Sequence, residues 1–305
     1  MPRTLLIPVE TAAREFDAKL LLALTARERG WDVFLGSQGA MRHRYASLPK
    51  GVYLSKSARR DNNKYFSRMR AYGHRIAVLD EEVLIRESDD IFNMKHEIGA
   101  FKDVELVLTW GDDSKNFLQK LPQLKNVEIV ATGNPRIDML SKRVREYYSQ
   151  EVKKIKSQHG DYVLFNSNFS NVNHFIPGHT RFKLASWVSK SRQTQIFSDL
   201  KARKISLMNS FVRLVPELAE KIAPKKLIIR PHPSESDEIW KRAIQGNENA
   251  AVIFQGSVVP WILGAEAVVH SGCTTAVEAT ILGVPCVSLS PFSEQDHVPV
   301  HGDDV

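Results

Sequence analysis

Short apolar runs alternate with amphipathic or charged stretches along most of the chain, and this alternation constrains the fold more than any other feature. A strand that reads as a near-continuous apolar run and is followed by a helix-length segment belongs to a parallel sheet covered on both faces. "TLLIPV" (4–9) is the first such run, and a helix follows from Thr11 to Arg29 with Leu20, Leu21, Leu22 and Leu24 in its apolar stripe. Gly30 closes it. "DVFLGS" (32–37), "GVYLS" (51–55), "RIAVLD" (75–80), "LVLTWG" (106–111) and "VEIVATG" (127–133) complete a first set of strands. A charged helix is expected over 136–157. "DYVLFNSNFS" (161–170) then begins a second set, continued by "KLIIRPHP" (226–233), "AVIFQG" (251–256), "AEAVVHSG" (265–272) and "PCVSLSP" (285–291).

A chain of 305 residues is long enough for two α/β domains, each with its own core. The restart at Asp161 divides them into residues 1–150 and 151–305. Two doubly wound Rossmann-like domains in tandem, with an interdomain cleft at the C-terminal ends of their strands, make the GT-B architecture. The hydrophobic and charged fractions, 43% and 25%, are those of a globular protein. No apolar run has the length of a membrane span, and the first residues lack an export signal, so a cytoplasmic location is expected. Cys273 and Cys286 have no metal-like spacing and read as free thiols.

Charge is unevenly spread. Residues 141–230 carry 18 Lys and Arg against 6 Asp and Glu, while the rest of the chain is acidic on balance. Such a basic stretch suits an anionic partner, either a nucleotide donor or a phospholipid surface, which allows peripheral association with the inner membrane. Taken by itself, a solvated basic helix face is the simpler explanation. No zinc-finger spacing, aromatic RNA-binding strand or long basic arm points to nucleic acid.

Two motifs carry most of the chemistry. In "HSGCTTAVEATILGVPCV" (270–287), an apolar strand delivers Ser271, Gly272, Thr274 and Thr275 to the start of a helix that Gly283 and Pro285 end. Free N–H groups, hydroxyl donors and the positive end of the helix dipole together suit a phosphate. Glu278, one turn in, has the reach to accept hydrogen bonds from ribose hydroxyls. An ordinary capped helix is the simpler alternative, since Ser and Thr are good N-caps. In "RPHPSE" (230–235), Pro231 and Pro233 fix the backbone on either side of His232. His232 and Arg230 are then placed to neutralise a departing phosphate, the arginine as a bidentate donor.

The first domain offers carboxylates. Asp80, Glu81 and Glu82 end the strand "RIAVLD" and its continuation, where an acid facing a cleft serves as general acid, base or nucleophile, although on spacing alone a surface acidic turn is the simpler reading. Glu10 ends strand one, and Arg14 and Glu15 sit in the first turn of the following helix, where acceptor or sugar contacts belong. Asn134 and Arg136 in "TGNPRID" take the same kind of position, with Pro135 opening a helix. Asn166 and Asn168 end the first strand of the second domain.

Taken in order, "LDEE", "GNPRID", "FNSNFS", "RPHPSE" and "SGCTTAVEA" resemble the surface-carbohydrate biosynthesis glycosyltransferases of bacteria, relatives of the capsule Kdo transferases and of the bacterial sialyl- and polysialyltransferases. The resemblance runs through nearly the whole chain. It implies that Glu81 and Glu82 fill the acidic catalytic pair. It likewise implies that His232 and Pro233 form the His-Pro pair, and that Ser271, Thr274 and Thr275 form the hydroxyl segment holding the phosphate of a CMP-sugar. Val83 stands where those relatives carry glycine. The resulting expectation is transfer of Kdo or a nonulosonic acid from CMP to a glycan or glycolipid acceptor, with no cofactor and no metal. The alternatives are a UDP-sugar-dependent GT-B transferase or 2-epimerase, and a non-catalytic glycan- or nucleotide-binding module.

Overall fold

The computed structural model describes residues 3–58, 62–81, 101–178 and 190–289. Among them the chain forms two compact units, Met1–Met139 and Leu140–Val305. The division falls ahead of position 150 because the segment from Leu140 onward packs with the second unit.

The first unit contains β1 (Thr4–Val9), α1 (Ala12–Glu28), β2 (Asp32–Ser37), α2 (Gln38–Arg44), β3 (Val52–Ser55), α3 (Asn63–Ala71), β4 (Arg75–Leu79), β5 (Leu106–Thr109), α4 (Asp112–Gln119), β6 (Glu128–Ala131) and the short α5 (Pro135–Asp138). Its six strands are ordered β2-β1-β3-β4-β5-β6, and their pairings are parallel. Leu6 and Ile7 are consecutive and both fully buried, so β1 is covered on both faces, as its unbroken apolar sequence requires. Tyr53, Phe66, Ile76, Val78, Val107 and Ile129 build the core on one side. Leu54, Ala77 and Leu79 build it on the other, with Leu22 of α1 packed against them.

The second unit contains α6 (Ser149–His159), β7 (Tyr162–Asn166), α7 (Lys190–Lys221), β8 (Lys226–Arg230), α8 (Glu238–Ala243), β9 (Ala250–Val252), α9 (Val259–Gly264), β10 (Ala267–His270), α10 (Thr275–Leu282) and β11 (Cys286–Ser288). The strand order is β11-β10-β7-β8-β9, again parallel. Its core is aromatic: Phe165 stacks on Phe211 at 4.9 Å between ring centroids and meets Trp240 edge-on. The single helix expected over 136–157 is instead α5, a 3₁₀ turn at Arg145–Tyr148 and α6. The charge pattern of a helix continues across the division between the units, where the chain itself breaks. No helix among the described residues is long and apolar enough to cross a membrane.

Each sheet reverses its strand order once. In the first unit the reversal lies between β1 and β3; in the second it lies between β7 and β10. Crossovers leave such a point on opposite faces, which opens a crevice beyond the C-terminal strand ends, and ligands of open α/β sheets bind there.

Candidate functional site

At the reversal in the second unit, register pairs Asn166 with His270, so the segments 166–168 and 270–274 leave the sheet side by side. Asn168 Nδ2 donates to the Gly272 carbonyl at 2.8 Å, tying the two segments together. Gly272 has φ +79°, a left-handed conformation that glycine adopts without strain, and its N–H donates to His270 Nδ1 at 3.0 Å. This turn carries the chain from β10 into α10. Thr274 is the N-cap residue, yet its side chain makes no capping hydrogen bond. The plain capped-helix reading therefore lacks its expected contact. Thr275 Oγ1 lies 2.6 Å from Cys273 Sγ, and burial pushes the Cys273 thiol above its ordinary pKa. Glu278 is buried within the helix.

Two polar groups stand out here. Ser271 is 2% exposed and Asn166 4%, and neither Ser271 Oγ nor Asn166 Nδ2 has a hydrogen-bond partner among the described residues. A buried polar group without a partner costs about 1–3 kcal/mol, so native proteins rarely tolerate one without a reason.

The β8 end is organised by a residue whose part the motif did not disclose. Glu235, 7% exposed, accepts from Ser167 Oγ at 2.8 Å, Phe169 N at 3.0 Å and His232 N at 3.4 Å with one oxygen, and from Trp240 Nε1 at 2.7 Å with the other. Burial raises its pKa, and these hydrogen bonds oppose the rise. Glu235 thus fastens the loop after β7 to the loop after β8. Its only sequence signal is an acid three residues beyond His232.

His232 is half-buried, and its Nδ1 accepts from Ser234 N at 3.1 Å, which places the proton of the neutral ring on Nε2. With Pro231, Pro233, Asp237, Phe175 and Phe254 it lines a pocket of about 330 Å³. Arg230 departs from expectation. The residue is 4% exposed, and its guanidinium donates to the carbonyls of Gln255 at 2.8 Å and Gly256 at 3.0 Å and lies over the Trp261 ring. Burial lowers its pKa to about 10. The fork that was expected to hold phosphate instead holds the backbone after β9.

At the reversal in the first unit lies a network of five charged side chains. Lys19 Nζ contacts Glu15 Oε2 at 2.7 Å, the Pro8 carbonyl at 2.7 Å and Glu81 Oε1 at 3.2 Å. Lys56 bridges Glu10 and Glu15. The Glu10 N–H donates to Glu15 Oε2 at 2.9 Å. Arg14 is half-buried on the same turn as Glu15. The sequence motifs do not disclose Lys19 and Lys56; the signal for Lys19 is its place directly ahead of the leucine run of α1. Glu82 lies outside the described residues. Asn134 departs from the substrate-contacting position expected of it. Its Oδ1 caps α5 by accepting from Arg136 N at 3.0 Å, and its Nδ2 donates to the Asp80 carbonyl at 3.2 Å, so both ends serve the backbone. Arg136 is half-buried in α5.

No protein-family model matches the chain, and no curated protein matches it. Solved structures do. The chain is similar to the UDP co-structure of S. aureus MnaA, with a TM-score of 0.60 at 12% identity, covering 96% of this chain and 80% of that one. It is similar to UDP-GlcNAc 2-epimerase from Methanocaldococcus jannaschii, with a TM-score of 0.55 at 15% identity and coverage of 97% and 85%. The wall teichoic acid polymerase TagF gives a TM-score of 0.57 at 9% identity and coverage of 99% and 73%. At these identities the likeness is one of fold: two Rossmann-like units of parallel strands and alternating helices, the GT-B class.

Proposed function

We propose that the chain is an enzyme of the glycosyltransferase or sugar-nucleotide 2-epimerase type. In this reading it takes a nucleotide-activated sugar and holds the nucleotide at the strand-order reversal of its second unit. The observation that carries the reading is the pair of buried, partnerless polar groups, Ser271 Oγ and Asn166 Nδ2, beside the start of α10. A phosphate seated there would accept from Ser271, from the Thr274 and Thr275 hydroxyls and from backbone N–H groups at the helix start. Glu278 would take the ribose, with Asn168 and Gly272 shaping the turn. His232 would offer its Nε2–H to the departing phosphate, where a fixed donor counts for more in the transition state than in the ground state. Pro233 holds that ring in place, and Arg230 supports the site through the 255–256 backbone. The basic surplus of residues 141–230 belongs to this second unit and favours an anionic ligand.

The first unit then serves the sugar and any acceptor, with Glu81 or Glu82 moving the proton and Glu10, Arg14 and Arg136 at or near the same strand ends. A UDP-sugar is the better supported donor, because the fold relatives include a UDP co-structure and a 2-epimerase solved with UDP-GlcNAc and UDP. Transfer of an ulosonic acid from CMP, with a surface glycan or glycolipid acceptor and peripheral attachment to the inner membrane, is the second reading. It rests on the ordered motifs from "LDEE" to "SGCTTAVEA". Incubation with UDP-GlcNAc and with CMP-Kdo, each with and without a glycan acceptor, separates the two. Conversion of the UDP-sugar supports the first reading and conversion of the CMP-sugar the second. Binding without conversion of either leaves a non-catalytic module.

A further inference from the structure

Among the described residues, the network in the first unit sets three carboxylates, Glu10, Glu15 and Glu81, against two cations, Lys19 and Lys56. Glu15 receives the 2.7 Å contact from Lys19, the contact from Lys56 at 3.4 Å and the Glu10 N–H at 2.9 Å. Glu81, with its side chain 8% exposed, receives Lys19 at the longer distance of 3.2 Å. Two of the three Lys19 donors are directed to Glu15 and to the Pro8 carbonyl, both shorter. Burying a carboxylate that shares its cation is costly, and a purely structural network gains nothing from a third acid.

We propose that Glu15 and Lys19 are positioning residues that hold Glu81 as the proton-carrying carboxylate of the first unit. This rests on the reading that Glu81 moves a proton in a sugar-nucleotide reaction. Glu15 anchors the ammonium of Lys19 and takes the larger share of the local positive charge. Lys19 fixes the Glu81 carboxyl beside the reversal between β1 and β3, and its presence sets how readily Glu81 gives up its proton. Among the described residues, the groups facing Glu81 are Lys19 and Glu15 from α1 and Lys56 just after β3, with Glu10 joined through Lys56.

The two carboxylates are pushed in opposite directions. Burial, the largest influence, raises Glu81; Lys19 partly offsets the rise and the Glu15 charge adds to it. Glu15 feels the same burial, but Lys19, Lys56 and its hydrogen bonds outweigh it and its pKa falls. Environments that separate the pKa values of neighbouring acids are the usual means of assigning one to carry a proton and the other to stay ionised.

The test does not need the substrate. In protein labelled with ¹³C at the glutamate side-chain carboxyls, the resonance missing from a Glu81→Gln spectrum is that of Glu81. It should titrate above the ordinary glutamate range in wild type, and roughly one pH unit or more higher in Lys19→Met. A Glu81 resonance that titrates in the ordinary range, or one that Lys19→Met leaves in place, overturns the proposal. Thermal unfolding of wild type and Glu81→Gln alone covers the case in which Lys19→Met fails to fold. A raised folded-state pKa gives stability that is complete below the unfolded value and is lost as pH rises through the folded one. Wild type should therefore lose melting temperature relative to Glu81→Gln as pH climbs above the unfolded glutamate value. A constant difference overturns the proposal. If Glu81 titrates as expected while neither nucleotide sugar is converted, the functional reading fails and the proton-holding device stands.

Discussion

At the scale of single residues, hydrogen bonds decide what each side chain is able to do. His232 accepts the Ser234 N–H at Nδ1, which keeps the proton of the neutral ring on Nε2. His232→Ala should lower turnover by roughly 100-fold, the usual loss on removing a preorganised charge-stabilising donor. Its stability cost should stay modest, about 1–2 kcal/mol, because the ring is only half-buried. Activity and melting temperature measured on one preparation check this, and a large drop in melting temperature with activity intact would make His232 structural. Glu235 should behave in the opposite way. Glu235→Ala strips acceptors from the buried Ser167 hydroxyl and Trp240 indole, so it should destabilise the protein by about 3 kcal/mol or more, as read by denaturant unfolding. Motifs made His232 visible in the sequence but hid Glu235, because its partners Ser167 and Trp240 lie on separate elements. Arg230 was misjudged for a related reason: the carbonyls that claim it belong to Gln255 and Gly256, 25 and 26 residues away.

At the scale of elements, the central strands such as β1 and β8 were legible because burial on both faces makes them apolar throughout, whereas the edge strands β2 and β11 hold no buried residue. Their ends were less so. "AVIFQG" reads as a strand to 256, yet β9 stops at Val252 because the chain turns away to bring the Gln255 and Gly256 carbonyls to Arg230. The reversal between β1 and β3 depends on a close approach that no pattern announces. A Cβ on Gly51 would lie 2.5 Å from the Thr4 carbonyl oxygen and 2.6 Å from the Thr4 Cβ, where β3 begins beside β1. Gly51→Ala should accordingly destabilise by about 1–3 kcal/mol through overpacking, measured by urea unfolding. An unchanged midpoint would mean that the two strands part without cost.

At the scale of the whole molecule, each unit has a candidate site at its own strand-order reversal. Among the described residues the first gathers five ionisable side chains, and the second leaves a hydroxyl and an amide unpartnered beside a helix start. A fold alone names no substrate, and many chemistries share one architecture. The assignment to nucleotide sugars therefore depends on what binds beside Ser271. Calorimetric titration of UDP and of CMP into wild type and Ser271→Ala tests this most directly. The account predicts that UDP binds wild type more tightly than CMP does. It also predicts that Ser271→Ala weakens UDP by about 1–2 kcal/mol, roughly five- to thirty-fold, with the melting temperature of the free protein held or raised. UDP that fails to bind, or that binds wild type and Ser271→Ala equally, would contradict it.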